Sequence, residues 1–310
     1  MWPARFSYSL LLSRGAASVS GEQERMPPFD EQRYAALLAA TGGGGVAASS
    51  VGSTVRFRER TTSTMDDARA GAERDGLASC GIAYVASEQD AGRGRQGRRW
   101  ESAPGSALLV TYHLCGSAEQ AALASAVGAL ATGDALRAAA GLDAGCKWPN
   151  DLVVATGGQA GAESERKLVG VLAEVLRPPG GRVDVLLGIG VNLHGADALP
   201  EGLRPLATGV VEAGGRAVSA EELLAALSTA LADRWRQAAE EPASLLAAWR
   251  ARLVTLGRRV RLAVPAAGPD AREVEGEAID VTPTGELVLR LADGSTPSFP
   301  AADDQRSAEL

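Results

Sequence analysis

The chain has 310 residues and a formal net charge of −7, with 22% charged and 45% hydrophobic residues. At ~150 residues per domain this is a folded protein of about two domains, and it is neither a disordered chain nor one coated in basic residues for bulk nucleic-acid binding. Three widely spaced cysteines and two histidines exclude a zinc ribbon, a CxxC redox motif and an HExxH metalloprotease, so a reduced, cytoplasmic setting is expected.

Residues 1–53 are expected to lie outside the folded body. They carry arginines, serines, a short leucine run at 10–12 and four consecutive glycines at 42–45. This composition favours a flexible leader over a secretion signal, and it leaves the true start at Met1 or Met26 open. The alanine-rich stretch at 121–142 is interrupted by Asp134 and Arg137, so no membrane span is predicted.

From Thr54 onward, hydrophobic periodicity predicts strands and helices in mixed order, after a short helical pattern at 27–40. In chain order these are a strand at 55–60, a helix capped by Ser63 or Thr64 and ending at Ala72, strands at 82–87 and 106–114, a long helix at 118–140, a strand at 146–154 that Pro149 interrupts, strands at 167–176 and 183–191 around a turn at 178–181, and helices at 220–240 and 243–252.

After Gly257 the pattern changes to short strands joined by turns, at 258–264, 272–281, 286–291 and 296–299. The predicted fold class is α+β. The expected domains are the leader at 1–53, a body at 54–255 that mixes helices with a sheet, and a small β-barrel domain at 256–310.

The loop at 91–100, AGRGRQGRRW, combines glycines with arginines and ends at Trp100. Glycines let a backbone approach a ligand closely, arginines bind phosphate through paired hydrogen bonds, and a tryptophan stacks on a ring. A phosphate site therefore competes with two other interpretations, a solvated loop and an RNA-binding patch. The formal GxGxxG match within it is weak evidence, because arginines fill the gaps and no helix is predicted to follow.

Three further motifs are KWPND at 147–151, RKLVGVLAE at 166–174 and GIGVN at 188–192. Taken singly, each has a purely structural explanation. Asn150 and Asp151 are common turn formers after a proline, Lys167 is a typical exposed charge at the start of a strand, and Asn192 is a typical strand terminus.

In this order and spacing the four segments resemble the biotin–protein ligases, the biotin–acetyl-CoA-carboxylase ligases, from about Thr61 to Val288. The resemblance implies a catalytic domain with a central mixed sheet flanked by helices, and a small C-terminal β-barrel. It also implies a two-step reaction. Biotin and MgATP form biotinyl-5′-AMP and pyrophosphate, and the biotinyl group then passes to one lysine of a biotin carboxyl carrier domain.

The resemblance also implies which residues bind the substrates. Those for biotin are Ser63, Thr64, Met65, Gln89, Arg93, Gly94, Arg95 and Lys167. Those for ATP and the adenylate are Arg93, Arg95, Arg98, Trp100, Asn150, Asp151 and Asn192. Lys167 and Arg95 are expected to act with Mg²⁺ on the reacting charges, and Asp151 to act as a base or orienting group. No protein ligand is assigned to the metal, and the arginine loop is expected to order only over bound ligand.

Three departures from the family pattern change these expectations. Met65 stands where the family usually has an asparagine, so one polar contact to biotin is missing. Residues 299–310 lack the usual closing strand of the barrel. Residues 1–53 are too short and too rich in glycine for the winged helix-turn-helix of regulatory members, so no repressor role is expected.

The alternatives are a lipoate ligase of the related family, a nucleic-acid-binding regulator and a biotin sensor without ligase activity. Neither nucleic acid nor a membrane is an expected partner, because of the net charge and the absence of a span. The sequence leaves a monomer and a homodimer equally open.

Overall fold

The structure is a computed structural model that describes residues 29–41, 51–156, 164–178, 183–264, 272–300 and 303–304. Most of the expected leader, the polar loop at 157–163 and the turn residues 179–182 lie outside the described residues. Within the described part, no helix combines the length and the apolar character needed to cross a membrane.

Seven strands form a central mixed sheet. They are β1 Val55–Thr61, β2 Ala83–Gln89, β3 Ala107–Gly116, β4 Gly145–Lys147, β5 Asp151–Thr156, β6 Ser164–Leu176 and β7 Val183–Asn192. Their order is β1-β2-β3-β7-β6-β5-β4, with β1 and β2 parallel and the other neighbours antiparallel. The central strand β7 is buried throughout, because its apolar and glycine residues are covered on both faces.

Helices cover both faces of this sheet. They are α1 Glu31–Thr41, α2 Thr64–Asp75, α3 Ala118–Ala122, α4 Ala124–Ala140, α5 Ala220–Glu240 and α6 Pro242–Arg250. Helix α4 packs on the large core, with α5 beside it, whereas Met65 and Ala68 of α2 pack against Tyr84 and Leu186 in a smaller cluster. The glycine-rich part of β7 faces the α2 side, since Met65 of α2 lies against Gly188.

Two predicted elements are each divided in the structure. The helix predicted at 118–140 is interrupted at Leu123, whose φ and ψ of −97° and 4° leave the helical region and whose N–H bonds back to Gln120 at 3.1 Å. The strand predicted at 146–154 is two strands, β4 and β5, which pair antiparallel across a cis Trp148–Pro149 bond. In the helix the apolar pattern continues through the interruption, whereas in the strand the turn falls at Pro149, where the sequence already predicted a break.

The folded chain starts earlier than the predicted Thr54. Helix α1 packs on α5, and the buried hydroxyl of Tyr34 donates to the Gly52 carbonyl at 2.7 Å and lies 3.0 Å from Ser228 Oγ. Phe29 stacks on Phe57 of β1, with ring centroids 5.3 Å apart. Aromatic side chains therefore hold residues 29–41, which belong to the expected leader, against the body.

The C-terminal residues form a separate antiparallel sheet. Its strands are β8 Arg259–Val264, β9 Arg272–Val281, β10 Leu287–Arg290, β11 Ser298–Phe299 and β12 Asp303–Asp304, in the order β11-β10-β9-β8-β12. All four predicted strands are present. β12 adds a short strand beside β8, where the sequence had been expected to lack the closing one. The predicted combination of a mixed body and a small β domain is confirmed.

Candidate functional site

Three glycines form the floor of a cleft on the α2 side of the sheet. Gly170 of β6 lies directly opposite Gly190 of β7, and Gly188 lies two residues further along β7 on the same face. A Cβ atom at Gly190 would lie 2.6 Å from the Trp100 ring, and one at Gly170 would lie 2.7 Å from it. The indole therefore rests directly on the backbone, and no larger residue fits beneath it. We call Gly170, Gly188 and Gly190 the glycine floor.

Trp100 lies above this floor in a partly polar setting. Its indole Nε1 is buried and has no hydrogen-bond partner among the described residues. The Lys167 ammonium lies 5.6 Å from the ring centroid, within reach of a cation–π attraction. An unpaired buried donor beside a cation marks a place where a polar ligand gains hydrogen bonds.

A β-bulge turns Lys167 into the cleft. Leu152 pairs with Val169 and Val153 pairs with Lys167, so Leu168 is an extra residue in β6. The extra residue changes the phase of the strand and places Lys167 on the same face as Gly170 and Asp151. The Lys167 Nζ and Asp151 Oδ1 atoms are 2.8 Å apart.

The KWPND segment is held by the C-terminal sheet. Trp148 is buried; its N–H bonds to Thr255 Oγ1 at 2.9 Å and its indole Nε1 bonds to the Gly285 carbonyl at 3.0 Å. The following Asn150 donates from Nδ2 to the Val171 carbonyl at 2.8 Å and accepts at Oδ1 from Arg95 at 3.4 Å. The tryptophan therefore anchors the turn, and Asn150 and Asp151 are the residues that this turn presents.

The arginine loop folds back on itself as a small hairpin. Arg93 and Arg99 form an antiparallel bridge, and the Gly94 N–H bonds to the Arg98 carbonyl at 2.8 Å. The tip is a single helical turn in which Gln96 and Gly97 have φ values of 52° and 76°. The loop, with Leu172 and Glu174 of β6, lines a cleft of about 820 Å³.

The arginines of this loop have different surroundings. Arg93 pairs with Asp66 at 2.6 Å and with Glu174 at 3.5 Å, so α2 and β6 both hold it. Arg95 points to Asn150, and Arg98 lines the cleft. All three arginines border the same cavity.

The opposite end of the site is a buried hydroxyl network. Gln89 accepts from the N–H of Thr64 at 2.8 Å and from its Oγ1 at 3.1 Å, while Thr64 Oγ1 lies 2.8 Å from Thr111 Oγ1. Ser63 is fully buried at the N-cap of α2 and accepts from the Met65 N–H at 3.3 Å. These groups suit a ligand with both carbonyl and N–H groups.

Met65 lies beside this network, since its sulfur and Thr111 Oγ1 both approach the potential Cβ position of Gly188. It is buried in the small cluster under α2, and a Cβ at Gly188 would lie 2.9 Å from its sulfur. A thioether is at best a weak hydrogen-bond acceptor, so this position contributes packing.

Asn192 lies at the end of β7 on the face of the glycine floor. Its Nδ2 donates to the Thr208 carbonyl at 3.2 Å, and its carbonyl accepts from Val210. The Lys167 backbone bonds to Leu206 and Thr208 of the same segment. Residues 206–210 therefore connect Asn192 to Lys167, and no motif in the sequence predicted this connecting role.

The contacts described above connect many of the predicted residues to one another and add further residues to them. Thr111 and the glycine floor were missed by the sequence analysis. The GIGVN motif carried a signal for two of the floor glycines, because residues two apart on a strand share one face.

The cysteines differ from the expectation of three separate reduced thiols. Cys80 and Cys115 form a disulfide, whereas Cys146 is buried and free. Burial raises the pKa of the Cys146 thiol to about 12. None of the three contributes to the cleft.

Comparison with known proteins agrees with this geometry. Residues 57–192 match the model of the biotin/lipoate A/B protein ligase family, and residues 255–303 match the biotin protein ligase C-terminal domain. The fold and the site thus define a protein of the biotin and lipoate ligase class.

The sequence relatives narrow this class. The chain is 33% identical over 232 residues to the biotin–[acetyl-CoA-carboxylase] ligase of Mycobacterium tuberculosis, covering 72% of this chain and 78% of that protein. It is 38% identical over 219 residues to the enzyme of that name from Paracoccus denitrificans, covering 68% and 85%. The Aquifex aeolicus biotin protein ligase, solved with biotin and ATP, shares the fold at a TM-score of 0.63 and 21% identity, over 81% of this chain and 97% of that one. The chain belongs to the biotin–[acetyl-CoA-carboxylase] ligase family.

Proposed function

We propose that the chain joins biotin to ATP as biotinyl-5′-AMP and then transfers the biotinyl group to a lysine of a biotin carboxyl carrier domain. The observation that carries this proposal is the Lys167–Asp151 pair, which lies beside Trp100 over the glycine floor. A cation, a flat aromatic ring and a backbone floor in one cleft suit a carboxylate that reacts beside a nucleotide.

The two ends of the cleft suit the two substrates. The network of Thr64, Gln89 and Thr111 offers donors and acceptors for the ureido ring of biotin. Trp100 offers a stacking surface for adenine, and the arginine loop borders the space for the phosphates. The carboxylate of biotin then points towards Lys167.

In the first step a carboxylate oxygen attacks the α-phosphorus and pyrophosphate leaves. Two like charges ~4 Å apart repel by about 4 kcal/mol at an effective dielectric of 20, and such a repulsion left in place costs roughly a thousandfold in rate. Lys167 offsets it, and Asp151 holds the lysine side chain in position across their 2.8 Å contact.

The residues present fit a magnesium ion carried by the nucleotide. Mg²⁺ prefers oxygen ligands and usually takes one or two carboxylates together with substrate phosphates. Asp151 supplies such a carboxylate beside Lys167, and Asn150 adds an amide oxygen in the same turn. When bound, the ion neutralises charge on the phosphates.

In the second step the amine of the carrier lysine attacks the carbonyl carbon of the adenylate and AMP leaves. The attacking amine must lose a proton, and the Asp151 carboxylate is the group proposed to accept or orient it. The arginine loop covers the adenylate so that water does not reach the mixed anhydride first.

The carrier domain of an acyl-CoA carboxylase is the proposed partner, and the cytoplasm is the proposed setting. Both are supported by the similarity of the chain to the biotin–[acetyl-CoA-carboxylase] ligases. We propose no contact with nucleic acid.

The test is ATP–pyrophosphate exchange measured with biotin, with lipoate and with neither acid. Exchange that requires biotin is the expected result. Exchange with lipoate alone would assign the chain to the other branch of the family, and no exchange with either acid would favour a sensor without ligase activity.

Lys167→Ala tests the role assigned to the cation. We expect biotin-dependent exchange to fall by roughly a thousandfold, since one compensating charge is lost. Arg177→Ala is the matched control, because it removes an exposed cation just past the end of the same strand. Near-normal exchange in Lys167→Ala would remove this residue from the mechanism.

A further inference from the structure

Four charged side chains from three elements form an ion-pair network beside the cleft. The Nη2 atom of Arg93, in the arginine loop, lies 2.6 Å from Oδ1 of Asp66 in α2. Its Nη1 atom lies 3.5 Å from Oε1 of Glu174 in β6. Glu174 also pairs with Arg69 of α2. The loop is therefore connected to both a helix and a strand through one guanidinium group.

The positions of these residues follow from the periodicity of their elements. Asp66 and Arg69 are three residues apart and share one face of α2. Glu174 lies four residues after Gly170 on β6, so its side chain is on the face of the glycine floor. Arg93 and Glu174 both line the cleft of about 820 Å³. A carboxylate and the cation that it holds therefore border the space that we assign to the phosphates.

The contacts of Arg93 use both of its terminal nitrogens. A guanidinium binds a phosphate best when two parallel N–H groups point at the same anion. Here Nη2 contacts Asp66 and Nη1 contacts Glu174, so the two nitrogens serve two acids on different elements. Arg93 must therefore give up at least one carboxylate before both terminal nitrogens can hold one phosphate.

The network is exposed enough for this exchange to be reversible. The side chain of Arg93 is 42% exposed, that of Asp66 36% and that of Glu174 27%. Ion pairs with such exposure shift an equilibrium by only about two- to fivefold, because water competes for both partners. When Arg93 leaves, Glu174 keeps its pairing with Arg69, and Asp66 is accessible to water.

The position of Arg93 is also coupled to that of Trp100. The Gly92 carbonyl accepts from the Trp100 N–H at 3.0 Å, and the Gly94 N–H donates to the Arg98 carbonyl at 2.8 Å. A Cβ at Gly92 would lie 2.5 Å from the Trp100 carbonyl oxygen, so the two backbone segments are in close contact. The carboxylates that hold Arg93 therefore also hold the segment beside the proposed adenine-stacking residue.

We propose that Asp66 and Glu174 form a latch that holds Arg93 in the ligand-free chain, and that the phosphate groups of the nucleotide release it by replacing these carboxylates on the guanidinium. This inference rests on the proposed function, because it takes ATP as the competing anion. Asp66 and Glu174 are positioning residues that act on the nucleotide only through Arg93. The apparent affinity for ATP is then the intrinsic affinity multiplied by the fraction of chains in which the latch is open.

The first experiment measures amide hydrogen exchange of residues 91–100 in the full-length chain without ligands. In Asp66→Asn we expect exchange of this segment to become about two- to fivefold faster, because one of the two latch contacts is lost. Asp67→Asn is the matched control. It removes the same charge from the same turn of α2, but Asp67 pairs with Arg58 of β1 at 3.2 Å and not with the loop. Equal exchange of residues 91–100 in the two variants would overturn the latch.

The second experiment measures ATP–pyrophosphate exchange with biotin. We expect Asp66→Asn and Glu174→Gln each to lower the KM for ATP by about two- to fivefold with kcat unchanged, because the latch opposes binding and takes no part in chemistry. Asp66→Glu should restore the wild-type KM, and Asp67→Asn should leave it unchanged. A higher KM for ATP in Asp66→Asn would overturn the proposal, since the carboxylate would then orient Arg93 for the nucleotide.

The two experiments separate failure of the latch from failure of the proposed function. The amide exchange needs neither biotin nor ATP, so it decides whether Asp66 holds the loop even in a chain without ligase activity. Pyrophosphate exchange in the wild-type chain combined with identical loop exchange in Asp66→Asn and Asp67→Asn would reject the latch and keep the ligase. Faster loop exchange in Asp66→Asn without any pyrophosphate exchange in the wild-type chain would reject the ligase, and with it ATP as the releasing anion.

Discussion

The space above Gly190 is smaller than a methyl group would need. A Cβ there would lie 2.6 Å from the Trp100 indole, well inside normal contact distance. We therefore expect Gly190→Ala to push the ring off the floor, at a cost of about 1–3 kcal/mol for an overpacked contact. The KM for ATP in pyrophosphate exchange should rise by roughly tenfold or more, because Trp100 is the proposed stacking surface for adenine, with little change in the far-UV circular dichroism.

Gly202→Ala is the control for that experiment. This glycine is exposed and nothing lies within 4 Å of its potential Cβ. The control separates the effect of a methyl group on the backbone from its effect on the cleft. Equal KM values for ATP in the two variants would show that Gly190 is not part of the nucleotide end of the site.

The sequence predicted which residues belong to the candidate site more reliably than it predicted the direction of their side chains. Simple alternation along β6 places Lys167 and Gly170 on opposite faces, because they are three residues apart. The bulge at Leu168 reverses this, and no turn residue marks the bulge in the sequence. The resemblance to a family supplied the role of Lys167, while the tertiary pairing with β5 supplied its orientation.

At the scale of the element, we predict that the arginine loop becomes ordered when biotin and ATP bind. It closes as a hairpin through the Arg93–Arg99 bridge, and its contact with the body includes the Arg95–Asn150 hydrogen bond. Biotin and ATP together should add phosphate contacts to the arginines. We therefore expect tryptic cleavage within 93–99 to slow by roughly tenfold when both ligands are added, as measured by mass spectrometry of the fragments.

Arg95→Ala should reduce this protection and release adenylate. Because leaked biotinyl-5′-AMP acylates free amines, the readout is biotinylation of a lysine-rich bystander protein. An external acceptor is needed because Lys147 and Lys167 are the only lysines of the chain. A cleavage rate that both ligands leave unchanged in the wild-type chain would contradict the ordering of the loop.

Elements were predicted well where pattern and capping agreed. Helix α2 begins after Ser63 as predicted, since that serine caps it, and α5 spans the predicted residues. The interruption at Leu123 was missed because the apolar pattern continues through it. Helix α1 was set aside with the leader, because its contacts with α5 come from residues about 190 positions away, such as Ser228 against Tyr34.

At the scale of the whole molecule, the two sheets share one hydrophobic core. Leu262 of β8 and Leu289 of β10 belong to the same buried cluster as Leu130 of α4. Trp148 crosses from one sheet to the other through its bond to Gly285. The sequence predicted two domains because the pattern changes to short strands after Gly257. It contained no signal that the two sheets share one hydrophobic core.

This shared core predicts a single cooperative unfolding transition. Circular dichroism and tryptophan fluorescence should give the same midpoint in urea, because neither sheet can expose its side of the core alone.

Trp148→Phe keeps the aromatic packing and removes the indole donor, which leaves the Gly285 carbonyl without that bond. We expect it to lower the free energy of unfolding by about 1 kcal/mol. Trp148→Ala should cost about 3–5 kcal/mol and also reduce exchange, because Asn150 and Asp151 lose their anchor. Two separated transitions in the wild-type chain, or full exchange activity in Trp148→Ala, would show that the C-terminal sheet does not support the site.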